Sequence, residues 1–578
     1  MTGPRRSEVI NTMRIFLRLR NAGKTAYENM PLNKGMLFAF LICLSGYAAR
    51  AETNSSSTFN LQSDRPGRIT FSGPDSAGLF AKEVEASFKG TLALDFVSTP
   101  GGNFPVGFLF ASPTNQPWYG TMWTRDGGTF LRELVFWGYY EHACQVAQLM
   151  MDYIGTNNDG FVAFPRFIDP RQGHVGGTEM DGQTATIISM VALWQRLPPE
   201  NPFRARLYQF LHQPSSPVRG IHHFLEIGQP LIPGSGEFGG GKGHENYNVV
   251  QNNLSAIALW SAANMEEEMG DKTTARLWRK DAKILFGNIE KYLINEKGSW
   301  IWGVETNVMK PNKTDADSAT LGGSGGLNGV VCMSADVLGL DPSTWPWKGA
   351  MTYGIKTFDE LYAFPQRKER FDKYGFWAQM NYTHKGLLTS PSYGQGYALQ
   401  DMLLFDKVSM AEHGIDFLAQ ATFQSPGVIF SYTNQVYGRL SPYYFYERMY
   451  SPDAKGQVEL TAGCGPLNLV NVAEPLKVAR MVAGVDDTSS KVVSIIPRVP
   501  PTWSGYHLED WPIRTSKGVV RADVTFERKD GKVTFTLKVT EGGSIPKLAV
   551  RLPTTDKMIW KRKSNVTECT FESSEAVR

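Results

Sequence analysis

The chain contains 578 residues, of which 42% are hydrophobic and 20% are charged, and its formal net charge is +3. This composition is that of an ordinary globular protein with room for several domains' worth of core, and its charge balance gives no argument for nucleic acid as a partner. The 57 glycines, 14 tryptophans, 22 tyrosines and 33 phenylalanines suit a protein that lines clefts with aromatic rings, although a large core accounts for them equally well.

Residues 1–51 have the pattern of an export signal. Lys34 precedes an apolar run over residues 35–49, and Ala49-Arg50-Ala51 provides an A-x-A cleavage site, so we expect cleavage after Ala51 and a secreted or periplasmic protein. The run is too short for a comfortable transmembrane helix, so no stable membrane span is expected in the mature chain. Cleavage removes eight Lys/Arg and two Asp/Glu, a loss of six positive charges that takes the net charge from +3 to −3.

Neither the cysteines nor the histidines form a cofactor motif. Cys144, Cys332, Cys464 and Cys569 are widely separated, and the sequence leaves open whether they form disulfides or remain buried thiols. No HExxH motif or paired Cys/His set is present, and residues 157–160 favour a turn over a calcium loop, so no metal and no other cofactor are expected.

Residues 52–114 are predicted to be a linker followed by a short β-rich lead-in. The linker is rich in Ser and Asn, and strand-like runs follow at residues 69–71, 90–97 and 106–110, separated by Gly and Pro.

Residues 115–488 are predicted to be helical. Over residues 130–153 apolar side chains recur at three- and four-residue steps until Gly155. Strands do not alternate with these helices, which excludes a parallel-sheet core and favours antiparallel helix hairpins. Further helical runs lie at about 184–197, 203–226, 247–269, 273–292, 327–338, 350–366, 395–421 and 465–484.

Residues 489–578 are predicted to be a small antiparallel β-domain. Apolar and polar residues alternate on both sides of Asp530-Gly531, which is a strong hairpin signal.

Trp123, Arg125 and Asp126 stand side by side where a loop gives way to a helix. This cluster suits the binding of one polar ring, on which the aromatic side chain stacks while the charged pair bonds to hydroxyl groups. The alternative is that Asp126 only caps the helix. Asp181 and Gln183 likewise place polar side chains at the start of the next predicted helix. Asp181 is either a second helix cap or part of a site shared with Asp126.

The glycine-rich segment 234–245 offers Glu237 and Glu245. No strand precedes its G-x-G-x-x-G, and no Ser or Thr follows Gly241-Lys242, so neither a dinucleotide site nor a P-loop is predicted. A carboxylic acid at a cleft mouth suits general-acid catalysis, and a solvated loop glutamate is the alternative for each residue. Glu447, surrounded by tyrosines, is a candidate general base or an ion-pair partner of Arg448, and Tyr393 and Gln395 add a further polar and aromatic loop.

These motifs, taken in chain order, resemble those of the six-hairpin glycosidases. Residues 123–128 and 236–237 are similar to glucoamylase-like enzymes of glycoside hydrolase family 15, and residues 446–448 and 495–498 are similar to α-L-rhamnosidases of family 78. The resemblance covers about residues 115–540. It implies a mainly α fold, an (α/α)6 six-hairpin toroid, between the β lead-in and the C-terminal β-domain.

The resemblance also implies a function: a glycosidase acting on a carbohydrate partner. Arg125 and Asp126 would bind the terminal sugar, Glu237 would be the general acid, and Glu447 the general base of an inverting hydrolysis. Gly236 stands where the family has an aromatic residue, and the acid-bearing motif of family 78 is missing, so Glu245 and Asp181 remain substitutes for the acid. The sequence names neither the sugar nor the oligomeric state.

Two other classes of protein fit the same residues. A polysaccharide lyase on an α/α toroid would use Tyr393, His244 or Arg125 to abstract a proton. A carbohydrate-binding protein without catalysis would keep the aromatic and Arg125–Asp126 contacts but lack an opposed pair of carboxylates.

Overall fold

The computed structural model describes residues 63–96, 104–112, 120–170, 174–234, 246–305, 323–384, 387–424, 429–430, 436–437, 443–452, 460–554 and 557–574. All of them belong to one compact unit, residues 60–578. None of the helices in these ranges is both long and apolar enough to cross a membrane.

The described residues form fourteen α-helices. In chain order, α1 to α14 are Asp75–Leu94, Thr124–Trp137, Tyr140–Asp152, Met180–Arg196, Pro202–His212, Pro217–Glu226, Val249–Met269, Lys272–Tyr292, Gly323–Leu338, Gly349–Tyr362, Pro365–Tyr374, Ser392–Leu404, Val408–Gln424 and Leu469–Ala483. A short 3₁₀ helix, Pro342–Thr344, precedes α10.

Six of these helices close an inner ring. Helices α2, α4, α7, α9, α12 and α14 each pack against the next, and α14 packs back against α2. The remaining helices lie outside them, so that one or two outer helices separate each inner helix from the next along the chain. Because every hairpin reverses the chain, the inner helices run in the same direction and their N-terminal ends open at one mouth. The predicted (α/α)6 toroid is confirmed.

The inner helices are buried on all sides, as expected for the core of a large domain. All fifteen residues of α14 are buried, including Glu474, Lys477 and Arg480. Charged side chains in such a position need partners of opposite charge, and the partners come from other inner helices.

Some strands lie between the helices of the toroid, and others form the C-terminal domain. In chain order, β1 to β22 are Arg68–Ser72, Met122–Trp123, Gly155–Thr156, Val162–Ala163, Phe167–Asp169, His174–Val175, Asn246–Asn248, Gly303–Glu305, Gln379–His384, Leu387–Pro391, Ile429–Phe430, Val436–Tyr437, Tyr446–Tyr450, Leu460–Pro466, Val485–Asp486, Val493–Ile495, Gly505–Thr515, Gly518–Lys529, Lys532–Glu541, Ile545–Pro553, Met558–Val566 and Glu568–Ser574.

The C-terminal region contains two sheets. One has the order β1-β17-β18-β19-β22 and the other β15-β16-β20-β21, and their strands contact one another through β16, β17, β19 and β20. The predicted hairpin at Asp530-Gly531 is confirmed, because Lys529 pairs with Lys532 and both turn residues have positive φ. The pairing of β16 with β20 is parallel, so the domain is not wholly antiparallel.

The N-terminal lead-in differs from the sequence prediction in two elements, one of which is the predicted strand at residues 106–110: these residues form a turn and a single bridge at Leu109. The predicted strand at residues 69–71 is confirmed as part of β1, which pairs with β17. Residues 90–96 of the predicted strand at 90–97 are instead the end of helix α1 and a single bridge, Phe96 to Leu109, and residue 97 lies outside the described residues. The close approach of the Tyr444 ring explains the glycine at position 90, since a Cβ there would meet the ring at 2.8 Å.

The cysteines whose side chains are described are buried free thiols: Cys144, Cys332 and Cys569. Burial raises the pKa of Cys569 to about 11, which keeps this thiol protonated near neutral pH. The side chain of Cys464 lies outside the described residues.

Candidate functional site

The loop-to-helix junction at residues 123–128 lies at the mouth of the toroid. Strand β2 ends at Trp123, which is the N-cap position of α2, so Asp126 lies inside the first helical turn and is not the cap. The backbone is fixed by the bond from Thr124 N to Arg166 O at 3.0 Å. Asp126 is buried, with 4% of its surface exposed, and the positive end of the helix dipole favours its charged form.

Two glycines bring α2 close to its neighbours. A Cβ on Gly128 would lie 2.7 Å from Thr186 Oγ1 and 3.0 Å from Thr186 N, and a Cβ on Gly127 would lie 2.6 Å from Met122 Cε. Gly128 therefore permits the close packing of α2 on α4, whereas Gly127 permits the close approach of Met122 in β2.

Arg125 lies between two carboxylates at this junction. Its Nη2 is 3.4 Å from Asp126 Oδ2, and its Nη1 is 3.6 Å from Asp181 Oδ2. Asp181 is 1% exposed and follows the first residue of α4, whose N-cap is Glu179. The structure thus brings together Arg125, Asp126 and Asp181, which the sequence placed on two separate hairpins.

A second charged pair, which the sequence analysis missed, borders Trp123. The Arg166 guanidinium lies 4.9 Å from the centre of the Trp123 ring, and Arg166 Nε is 2.6 Å from Oε1 of the buried Glu179. The guanidinium is therefore held against the tryptophan by electrostatic attraction to the ring and by the ion pair. Only the β2–β5 pairing, which juxtaposes Trp123 and Phe167, brings Arg166 to this position.

Gln183 and Gln395, which were predicted to bind the substrate, hydrogen-bond to the protein backbone. Oε1 of Gln183 accepts a bond from Phe164 N at 2.8 Å, and its Nε2 donates to Phe164 O. Oε1 of Gln395 accepts a bond from Trp377 N at 2.8 Å, and its Nε2 donates to Gly375 O at 2.8 Å. These contacts favour a role in fixing loops and helices over direct contact with a ligand.

Glu447 and Tyr393 lie on neighbouring elements. Glu447 belongs to β13, which pairs with β10 just before α12 begins, and Ser392 Oγ donates to Tyr446 O at 2.5 Å. Glu447 is 9% exposed, and its Oε1 is 3.7 Å from Arg448 Nε. Tyr393 N donates to Asn471 Oδ1 at 2.9 Å, and its ring centre lies 5.7 Å from that of Tyr397.

A cavity of about 40 Å³ lies among the six inner helices, and both charged and apolar side chains line it. Arg125 and Asp181 line one part of it, and Arg132, Asp336, Tyr397 and Glu474 line another. It is large enough for an ordered water molecule and offers the polar partners that a buried water needs.

Three cations and three carboxylates close the toroid beneath the cavity: Arg132, Lys477, Arg480, Glu133, Asp336 and Glu474. Arg132 joins Glu133 at 2.7 Å and Glu474 at 3.1 Å, and Lys477 joins Asp336 at 2.5 Å. Burial alone would raise the pKa of Asp336, but Lys477, Arg132 and Arg480 together hold it below its ordinary value. This six-charge network is electrically balanced and fills the base of the site.

Glu237 and Glu245 lie outside the described residues, so their predicted roles stay predictions. One possible metal cluster occurs among the described residues, away from the mouth. Ligand atoms of His212, Glu266 and Asp271 lie within 4.8 Å of one another. Their bonds are accounted for within the protein, since Glu266 pairs with His212 at 2.9 Å and Asp271 caps α8.

Comparison with solved structures supports the fold. The chain is similar to an α-L-rhamnosidase from Dictyoglumus thermophilum, with a TM-score of 0.54, 12% identity and coverage of 89% of this chain and 50% of that one. It is also similar to a family 78 rhamnosidase of Bacillus sp. GL1, with a TM-score of 0.51, 13% identity and coverage of 83% and 42%. A glucoamylase from Saccharomycopsis fibuligera matches with a TM-score of 0.49 at 12% identity, over 71% of this chain and 96% of that one.

The two rhamnosidase likenesses show the fold alone: the chain shares the α/α toroid of these structures. It spans about half the length of the first rhamnosidase. No known protein family matches the sequence. No curated protein matches it either.

Proposed function

We propose that the chain is a glycoside hydrolase that removes sugar residues from a poly- or oligosaccharide or a glycoconjugate. The observation that carries the proposal is the meeting of Arg125, Asp126 and Asp181 at the open end of the toroid, above a cavity that is lined in part by charged side chains. Carboxylates and a guanidinium offer the acceptors and donors that sugar hydroxyls require. The aromatic face of Trp123 supplies a stacking surface beside them.

We propose exo action because the base of the site is closed. The six-charge network fills the axis beneath the cavity, so a carbohydrate chain has no path through the toroid. A pocket closed at its base accepts the end of a chain rather than its middle. The terminal sugar would lie over Arg125 and Asp181, with its leaving group directed to the mouth.

The proposed chemistry is inversion by two carboxyl groups. Glu237 would protonate the leaving oxygen, and Glu447 would activate water on the opposite face of the sugar ring, with the carboxyl groups about 6.5–9.5 Å apart. The burial of Glu447 on β13, next to the start of α12, supports its role as the base. The proposal still depends on Glu237, for which Glu245 and Asp181 are the substitutes.

A panel of aryl-glycosides tests the function, with α-L-rhamnoside, α-glucoside and β-glucuronide as the first substrates. We expect turnover of at least one of them and, by proton NMR, a first product of inverted anomeric configuration. Glu237→Gln and Glu447→Gln should each lower kcat by about 10²–10⁴-fold, the usual contribution of acid–base catalysis, whereas the surface control Glu85→Gln should not. Unchanged turnover in both site variants would reject the catalytic pair, and an unsaturated product that absorbs in the ultraviolet would indicate a lyase.

We also propose that the protein is exported and that residues 1–51 are removed. The apolar run and the Ala49-Arg50-Ala51 sequence support this proposal. The intact mass of the protein recovered from its native host should correspond to a chain that begins at Glu52. A mass that includes residues 1–51 would contradict it.

A further inference from the structure

The outward face of helix α8 carries five exposed cations. Its exposed charged residues are Lys272, Arg276, Lys280, Lys283 and Lys291. At about 100° per residue these five positions fall within roughly a 100° arc, and at about 1.5 Å per residue they span roughly 28 Å. We call this set of five residues the basic face. The basic face is not visible as a run of cations in the sequence, because its residues are three or more positions apart.

The acidic residues of α8 do not balance the five cations. Asp281 lies on the opposite side of the helix, buried against His222 Nδ1 at 2.6 Å. Glu290 falls within the same arc as the cations but is half-buried and accepts a bond from Trp347 Nε1 at 2.6 Å. None of the five cations has an ion pair within the described part of the chain. Glu267, on the adjacent helix α7, is paired with Arg279.

Other outer helices of the toroid show the usual arrangement. On α11, Lys368 pairs with Asp372 four residues later, and on α1, Lys89 pairs with Glu85. Such pairs stabilise an exposed helix, whereas like charges four residues apart destabilise it. Lys272, Arg276 and Lys280 follow one another at four-residue steps, and none of them has an ion pair among the described residues that would offset their mutual repulsion. This repulsion is removed when an anion binds.

The basic face borders open surface along which a chain can lie. Arg276, Arg279, Lys280 and Lys283, together with Ile284, border an open region of about 480 Å³. Helix α8 is the outer partner of α7 and runs antiparallel to it, so its last turn, with Lys291, lies at the end where the toroid opens. A polymer held on this face would therefore extend along the wall towards the mouth.

We propose that the basic face binds the backbone of an anionic polysaccharide, carboxylated or sulfated, whose terminal sugars enter the toroid. The inference rests on the proposed glycosidase function. In the mouth each guanidinium already has a carboxylate beside it, Arg125 with Asp126 and Asp181, and Arg166 with Glu179. The pocket is thus suited to an uncharged sugar, and the charge of the polymer is recognised outside it.

The chemistry of the face favours a glycan over other polyanions. Proteins that bind single-stranded nucleic acid add exposed aromatic side chains for base stacking. The rings beside the basic face are half-buried and already lie under cations, Tyr292 at 4.6 Å from Lys291 Nζ and Trp260 at 5.7 Å from the Arg279 guanidinium. A helix that lies in a membrane surface needs a free apolar face, whereas the apolar face of α8 is packed inside the toroid through Trp278, Leu285 and Phe286.

Affinity electrophoresis of the full chain in gels containing polygalacturonate tests the proposal. The wild-type protein should be retarded, and the retardation should disappear as salt shortens the Debye length from about 30 Å at 0.01 M to about 10 Å at 0.1 M. A triple variant, Arg276→Gln, Lys280→Gln and Lys283→Gln, should bind about a hundredfold more weakly at low salt. Neutral dextran should retard neither protein.

The matched control removes the same charge elsewhere. Lys561→Gln, Arg562→Gln and Lys563→Gln lie on the edge strand β21 and should leave the retardation unchanged. Equal weakening by both triple variants would overturn the proposal, and so would tighter binding of duplex DNA or phosphatidylserine vesicles than of polygalacturonate. The binding assay does not depend on catalysis. An aryl-glycoside bound at the mouth is too short to extend to the basic face, so its turnover does not depend on this face. The binding proposal and the proposed activity can therefore fail separately.

Discussion

Replacing Arg480 by methionine tests the six-charge network at the base of the toroid. Arg480 Nε is 2.8 Å from Glu133 Oε2, and its Nη2 is 2.7 Å from Glu133 Oε1 and 3.3 Å from Asp336 Oδ1. Glu133 is fully buried. Methionine fills much of the same volume, so the main effect is electrostatic: one negative charge is left without balance inside the toroid.

The expected cost is set by that unbalanced charge. Removing one partner of a buried ion pair costs about 3–5 kcal/mol of stability. Arg132, at 2.7 Å, still offsets part of the Glu133 charge. We therefore expect Arg480→Met to lower the free energy of unfolding by about 3 kcal/mol. For a chain of this size, each kcal/mol lowers the melting temperature by about 1 °C. The surface variant Arg68→Met, which removes an exposed pair with Glu509, should cost less than about 1 kcal/mol.

Urea unfolding followed by tryptophan fluorescence measures these differences, and a double-mutant cycle isolates the pair. Glu133→Gln together with Arg480→Met restores charge balance, so the double variant should be clearly more stable than the sum of the two single losses predicts. The reasoning is refuted if Arg480→Met lies within about 1 kcal/mol of the wild type, or if the two single effects add without coupling.

Three further predictions concern other parts of the molecule. Burial raises the pKa of Asp95 well above its ordinary value, and neither of its carboxylate oxygens has a hydrogen bond among the described residues. The stability of the wild type should therefore fall as the pH rises above the unfolded value of about 3.9, and thermal melts of Asp95→Asn should show a growing advantage towards pH 7. Gly128→Ala places a Cβ 2.7 Å from Thr186 Oγ1 and should cost about 1–3 kcal/mol by overpacking, as measured in urea. Trp123→Ala should raise KM by about two- to tenfold with little change in kcat, because stacking binds substrate and transition state alike; an equal fall in kcat would assign Trp123 to the reaction itself.

Much of the fold could be predicted because its signals are local. The three- and four-residue period of the helices and the Asp530-Gly531 turn depend on neighbouring residues only. The exception at residues 90–97 is instructive, since a short apolar run fits a strand and a buried helix equally well. The residues that indicate a helix lie before residue 90: Phe80, Val84 and Phe88 are buried at four-residue steps. The run at residues 90–97 does not itself contain this pattern.

The site was harder to predict because its geometry depends on distant segments. Arg125, Asp126 and Asp181 were predicted from their position at helix entrances, and the structure brings their side chains together, while their role stays a prediction. Arg166 and Glu179 carry no motif, and only strand pairing brings Arg166 to the face of Trp123. The polar character of Gln183 and Gln395 suggested ligand contact, whereas their amides bond to the backbone of neighbouring loops. A buried amide and a ligand-binding amide look identical in a sequence.

The account's central claim is that the cluster of Arg125, Asp126 and Asp181 holds the sugar that is cleaved. Its most direct test is kcat/KM of Asp126→Asn for the preferred aryl-glycoside, measured beside the surface control Asp152→Asn and with urea unfolding to confirm that both variants are folded. Loss of a charged acceptor costs about 1.5–3 kcal/mol, so Asp126→Asn should lower kcat/KM by about 10- to 150-fold while the control stays within twofold. A folded Asp126→Asn variant with wild-type kcat/KM would contradict the claim.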